Sequence, residues 1–303
     1  MTQLGEAAPA GAASVIAIFG PTASGKSVVA SALAERVNGR VVSADAMQVY
    51  RGLPILTNQP AEPTELVAIW DLDCEASVGE YQRLAHTTVD AILSRGQTPV
   101  VTGGTGLYLR AALADLELPP APPAGLRARI EELYDTGGAA VAHARLAACD
   151  PQAASRVHPN DRRRVVRALE LAEMGETLHP TTDRLWSESV RHPALLVGLL
   201  VSESVLTARI EARTRAMFER GVVDEVQSAR TQILSTTARR VIGLEEIAGL
   251  DAAAAAASIN RRTRRYAAYQ RKWMRRIPGL ALVDAERDPG VVADEIREMA
   301  RAG

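Results

Sequence analysis

Lysine is almost missing from this chain: of 35 Lys+Arg residues, all but Lys26 and Lys272 are arginine. Cysteine is equally scarce. Cys74 and Cys149 lie far apart, with no C-x-x-C or histidine pattern beside them, which excludes a disulfide framework and a zinc site. No apolar run approaches the length of a membrane span, so no membrane partner is expected. Residues 1–13 are Ala/Gly-rich and lack the basic start and apolar core of a signal peptide; they read as a disordered tail, and the expected location is the cytoplasm. A net charge of −1 lacks the excess that holds a protein to nucleic acid by bulk electrostatics. What remains is an ordinary globular composition, 47% hydrophobic and 23% charged, in 303 residues. That length suits a large α/β domain with a smaller one inserted.

The lysine that is kept sits in Gly-Pro-Thr-Ala-Ser-Gly-Lys-Ser, residues 20–27. The pattern G-x-x-x-x-G-K-[ST] builds a loop whose backbone N–H groups and lysine surround a phosphate chain, with the last hydroxyl placed for Mg²⁺. In a chain that otherwise supplies cations as arginine, Lys26 implies a need for a compact ammonium. The run 15–19 before it reads as a buried strand and 28–37 after it as a helix, which together make an anion site. Gly20, Thr22, Ala23, Ser24, Gly25, Lys26 and Ser27 are the candidate residues for binding a di- or triphosphate, with Ser27 the candidate metal ligand.

Further strands are predicted at 40–43, 99–102, 195–201 and 280–283, with helical stretches between them. This alternation gives an α/β fold, a phosphate-loop parallel sheet flanked by helices. Residues 118–123 are proline-rich, and from there to about 192 only helix-like segments occur, at 124–134, 139–148 and 161–174. The expected organisation is a core of 14–119 plus 194–303, with a helical insertion at 120–193. Basic residues cluster at Arg162, Arg163, Arg164 and Arg167, and at 261–276, which holds eight basic residues and no acidic one. Such patches meet a phosphate backbone or are simply solvated, and charge alone does not decide. Tyr266, Tyr269 and Trp273 follow helical spacing and read as a core stripe, with base stacking the alternative.

Asp45 follows the strand at 40–43. The carboxyl ends of parallel strands line the ligand crevice, so Asp45 should face the phosphate loop. It could hold Mg²⁺, accept a proton from a nucleophile, or cap a helix. After the strand at 99–102, where a nucleotide hydrolase places a carboxylate, the chain reads Gly103-Gly104-Thr105-Gly106. That weakens an ATPase reading and leaves kinases and other phosphate-loop transferases. Arg209 and Arg213, four apart on one helical face, either reach over the loop or pair with Glu211 or Glu219.

Together these segments resemble the tRNA dimethylallyltransferases. The matching runs are GPTASGKS (20–27), SADAMQVYRG (43–52), GGTGLYLRA (103–111), DPQAASRVHPNDRRRVVRALE (150–170), RIEARTRAMFERGVVDEV (209–226), RRVIGLEE (239–246) and YAAYQRKWMRR (266–276). The resemblance implies transfer of a dimethylallyl group from dimethylallyl diphosphate to N6 of the adenosine just 3′ of the anticodon, with Mg²⁺ as cofactor and diphosphate released. The loop then holds a leaving group. Catalytic roles are implied for Asp45 as general base, Arg213 beside the leaving diphosphate and Thr105 at the target nucleotide. Contacts to the tRNA anticodon stem-loop are implied for Asp45, Ala46, Met47, Gln48, Thr105, Arg127, Arg163, Arg164, Arg167 and Arg240. A monomer is expected, and the adenosine must flip out of its stack to react. The chain departs from the pattern at Ala46, at Leu56-Thr57-Asn58-Gln59, before Asp71-Leu72-Asp73 and at Leu244. The alternatives are a transferase acting on free AMP, ADP or ATP, a small-molecule kinase, and a non-enzymatic RNA binder.

Overall fold

The structure, a computed structural model, describes residues 13–123, 125–178 and 189–302. The predicted tail at 1–13 and the residue opening the predicted helix at 124 thus lie outside the described residues, save Ala13. The chain divides into two compact units, with boundaries at Asp115/Leu116 and Ser187/Glu188.

The first unit carries a five-stranded parallel sheet in the order β2-β3-β1-β4-β5. Its strands are β1 (Val15–Phe19), β2 (Gly39–Ser43), β3 (Thr98–Gly103), β4 (Ala194–Leu200) and β5 (Ala281–Asp284). Every residue of β1, Val-Ile-Ala-Ile-Phe, is buried. A central parallel strand is covered on both faces, so its sequence is a continuous apolar run with no alternation. Ile18 lies opposite Thr102 of β3 and Val197 of β4, which brings the strand ends into line. β1 spans the residues expected from the sequence, and the other four strands differ from expectation by one residue at one or both ends.

Helix α1 (Lys26–Arg36) begins inside the phosphate loop, two residues before its predicted start. Its buried Val29 and Leu33 join Ile16, Ile18, Val197 and Leu199 of the sheet and Val292 and Ile296 of the last helix in one core cluster. Between β2 and β4 come α2 (Val78–Ser94) and α3 (Gly106–Leu113), which pack together and on β3. The chain after β4 forms α7 (Glu203–Glu219), α8 (Val222–Arg230), α9 (Leu244–Gly249), α10 (Ala252–Met274) and, past β5, α11 (Pro289–Ala302), counting α4 to α6 in the second unit. Residues 189–193, assigned by sequence to the insertion, are tied to the sheet-bearing unit. The Arg191 N–H donates to Leu113 O at 2.8 Å, and both Arg191 and His192 bond Asp90 of α2.

The second unit contains α4 (Leu126–Cys149), α5 (Pro151–Arg156) and α6 (Arg162–Glu173). Gly138, at φ 82°, breaks α4 between the two helices that the sequence predicts. Asp150 and Asp161 cap α5 and α6 by accepting from Ala153 N and Arg164 N. Leu126, Ile130, Leu146, Val165 and Leu169 make its core. Glu170 is fully buried beside it and accepts from Arg127 Nε at 2.6 Å and Arg167 Nη1 at 3.0 Å.

Candidate active site

The chain leaves β1 at the sheet's carboxyl edge and turns into α1 through Ala23 at φ 67° and Gly25 at φ 88°. Left-handed backbone at two positions folds residues 21–26 into a cradle, and glycine at 25 removes the side-chain penalty there. Lys26 Nζ reaches back to Pro21 O at 3.4 Å. Its pKa falls to about 8; burial is the main cause, with Arg213 adding to the fall and Asp45 opposing it.

Arg213, on α7, donates from Nη1 to Thr22 Oγ1 at 2.8 Å. Arg209, one turn earlier, points Nη1 at Ala23 O and Ser24 O, each 3.4 Å away. Glu211 pairs instead with Arg264, so the loop-facing alternative holds for both arginines. Burial lowers the pKa of Arg213, and the charge of Asp45 opposes that shift. Arg213 Nε and Ser24 Oγ are buried without a hydrogen-bond partner among the described residues. Buried polar atoms are rarely left so, and a cradle with two of them fits an anion that supplies acceptors.

Asp45 follows β2 as expected, but no helix starts there, so it caps nothing. Its Oδ1 accepts from Met47 N at 2.9 Å and closes a turn. Asp45, Met47 and Gln48 line one cavity of about 450 Å³ together with Thr22–Ser27, Arg209 and Arg213. Both ends of the Gln48 amide are engaged, by Ser43 Oγ and Asn58 O, which fixes the strip rather than leaving it loose. Thr105 Oγ1 accepts from Ala46 N at 3.2 Å and lies 3.3 Å from the Tyr266 hydroxyl, binding the β2 and β3 ends together. Among the described residues there is no group of three or more His, Cys, Asp or Glu able to hold a metal ion.

The implied RNA-binding arginines do not form one set. Arg127 and Arg167 are engaged by the buried Glu170, and Arg167 also donates to Pro119 O and Pro120 O. Arg163 is exposed, Arg164 is exposed beside Asp161, and Arg240 is exposed in the 3₁₀ turn Ala238–Arg240, next to the cavity-lining Val241.

The aromatic stripe expected in the core is corrected by the structure. The buried face of α10 is Ile259, Thr263, Ala267, Gln270 and Met274, whereas Tyr269 is 53% exposed. Tyr266 lines the cavity instead, and burial together with Asp45 pushes its hydroxyl pKa up. Gln270 was not singled out from the sequence. Its Oε1 accepts from Thr22 N and its Nε2 donates to Gly104 O, both at 2.8 Å. A Cβ on Gly104 would sit 2.1 Å from that Nε2, and one on Gly106 the same distance from Trp273. The glycines after β3 therefore admit α10.

The cavity also has an apolar lining, with Leu56, Met217, Val241, Ile242 and Ile259. A site with an anion cradle, a carboxylate and an apolar wall suits an ester of diphosphate with a hydrocarbon better than a nucleotide.

Comparison with known proteins agrees. The sequence model of the IPP transferase family matches residues 48–277, and that of isopentenyl transferase matches 13–68. The chain is 42% identical to a tRNA dimethylallyltransferase of Streptomyces coelicolor over 87% of its own length and 88% of that protein's. It is also 42% identical to one of Salinispora arenicola, over 96% and 88%. Among solved structures it resembles the full-length tRNA isopentenylpyrophosphate transferase of Bacillus halodurans, with TM-score 0.66 and 30% identity over 95% of this chain and 94% of that one. It also resembles a eukaryotic dimethylallyltransferase captured acting on tRNA, with TM-score 0.72 and 28% identity over 89% and 73%. The phosphate loop, the carboxylate beside it and these matches along most of the length place the chain in the IPP transferase family, the family of the tRNA dimethylallyltransferases.

Proposed function

We propose that the chain transfers the dimethylallyl group of dimethylallyl diphosphate to N6 of adenosine 37, the nucleotide 3′-adjacent to the anticodon of tRNA. The observation that carries this reading is the shared cavity of Lys26, Arg213, Asp45 and the apolar wall. The loop holds the diphosphate. Lys26, Arg213 and the backbone N–H groups of the cradle stabilise the charge that grows on it as the C1–O bond breaks. The N6 lone pair is delocalised into the purine ring, so the amine is a poor nucleophile. Asp45 accepts the N6 proton as the N6–C1 bond forms, leaving prenylated adenosine, intact diphosphate and a protonated Asp45 that returns its proton to water.

Mg²⁺ fits the residues present. Ser27 Oγ is a hard oxygen donor lining the cavity and would hold the ion; with no carboxylate cluster among the described residues, diphosphate oxygens and water would complete its ligands, as is usual for this ion. Bound there, it would neutralise diphosphate charge. Thr105, bonded to Ala46 and beside Tyr266, positions the target nucleotide at the same strand ends. Exposed Arg163, Arg164 and Arg240 meet the RNA backbone.

The relatives are named for action on tRNA, which favours RNA over a free nucleotide as acceptor. Incubation with labelled dimethylallyl diphosphate and equal amounts of AMP and an anticodon stem-loop tests this. Label is expected on the RNA. Label on AMP alone supports the free-nucleotide transferase, and ATP turnover with neither acceptor labelled supports a kinase.

A further inference from the structure

We propose that Leu56 sets the length of the allylic chain that the cavity accepts, selecting a five-carbon group over longer allylic diphosphates. The inference rests on the reading above that an allylic diphosphate occupies the cavity. One end of such a donor is fixed by the loop, Lys26 and Arg213, so its hydrocarbon end must meet the apolar wall. Leu56 is the part of that wall that cannot yield.

Behind it lies Gly243, at φ 105°. A Cβ built there would stand 2.5 Å from Leu56 Cδ1 and 3.4 Å from Ile259 Cδ1. Leu56 thus rests against the Gly243 backbone, with Ile259 beside it, and is 5% exposed. Its own backbone is equally fixed. The N–H groups of Ile55 and Leu56 each donate to the Glu225 carboxylate of α8 at 2.7 Å. Thr57 N donates to Leu53 O, Asn58 N to Ile55 O and Gln59 N to Pro54 O, at 3.0, 3.2 and 2.9 Å. Five consecutive amides are therefore engaged, and Gln59 Nε2 ties the loop to Tyr50 O at 2.7 Å. A side chain held from behind and along its backbone does not move aside for extra methylenes, and overpacking a filled wall is destabilising.

The test compares kcat/KM for dimethylallyl and geranyl diphosphate, with an anticodon stem-loop as acceptor, in the unmodified protein and in Leu56→Ala. Pocket discrimination of roughly 10–200-fold per methylene gives the scale. The unmodified protein should favour the five-carbon donor by at least about 100-fold, and Leu56→Ala should narrow that preference by about 10-fold or more. An unchanged ratio in a variant that still transfers the five-carbon group overturns the proposal. A second measurement needs no variant. Geranyl diphosphate should inhibit the unmodified protein no more strongly than inorganic diphosphate, and clearly tighter inhibition overturns the proposal even if Leu56→Ala does not fold. An unmodified protein that prenylates RNA with neither donor refutes the underlying reading, and this shows before any variant is compared.

Discussion

At the residue scale, Lys26 couples the phosphate loop to pH. Burial lowers its pKa from 10.5 to about 8 in the ligand-free protein. Between those values the unfolded chain carries a proton that the folded chain lacks, so this group's contribution to stability rises with pH across that window. A bound diphosphate restores the charge. Binding of inorganic diphosphate above about pH 8 should then take up a proton, and its affinity should fall as pH rises further. Calorimetry in buffers of different ionisation heat reads both, and a pH-independent affinity with no proton uptake would contradict the assignment. Lys26 was legible in the sequence because a motif and a strong compositional bias coincide on it. Asp45 was legible as a site residue from its place after a strand, but its turn was not, since one N–H···O contact with Met47 leaves no pattern.

At the element scale, α10 is the strut of the site. Its buried Gln270 bonds two backbone groups that lie 248 and 166 residues away, one in the phosphate loop and one after β3. Nothing in sequence spacing announces such a pair. The buried stripe Ile259, Thr263, Ala267, Gln270 and Met274 keeps the same helical period as the aromatics, so spacing alone does not choose between the two faces. The aromatic stripe was misread because large apolar side chains suggest a core, whereas here Tyr266 borders a cavity. Gln270→Leu removes both hydrogen bonds and leaves Thr22 N and Gly104 O buried without them, a cost of about 1–3 kcal/mol for each group. The expected outcome is a rise in KM for dimethylallyl diphosphate with a smaller change in KM for RNA. Gln270→Glu should restore only the bond from Thr22 N. Equal changes in both KM values would mean general loosening and not positioning of the loop.

At the scale of the whole molecule, the two units divide their arginines between structure and surface. Sequence reading set Arg127 and Arg167 beside Arg163 and Arg164 as RNA-holding residues. The first two are engaged by a carboxylate with no solvent exposure; Arg167 lies three residues before Glu170 on α6, but the pairing of Arg127 on α4 with Glu170 cannot be read from the one-dimensional order. RNA affinity should fall with salt, because arginines that neutralise phosphates release counterions. Arg163→Ala with Arg164→Ala should reduce the slope of log affinity against log salt by about one per phosphate-binding arginine removed. Arg127→Ala should instead lower the melting temperature, because it removes one cation from buried Glu170. A salt slope unaltered by the double variant would remove these two arginines from the RNA interface.

The parallel sheet, the helical insertion and the loop were all legible, since each rests on local periodicity or a short motif. The apolar wall of the cavity was not, because Leu56, Met217, Val241 and Ile259 come together only in the fold. In the proposed reaction the loop holds a leaving group while Asp45 deprotonates an RNA adenosine. Its most direct test is nucleoside analysis of an anticodon stem-loop after reaction with labelled dimethylallyl diphosphate, using the unmodified protein and Asp45→Asn, which keeps an acceptor for Met47 N. The expected result is label on the adenosine 3′ of the anticodon, one diphosphate released per prenyl group, and a loss of roughly 10²–10⁴-fold in Asp45→Asn. Phosphate release without prenylated adenosine, or undiminished transfer by Asp45→Asn, would contradict it.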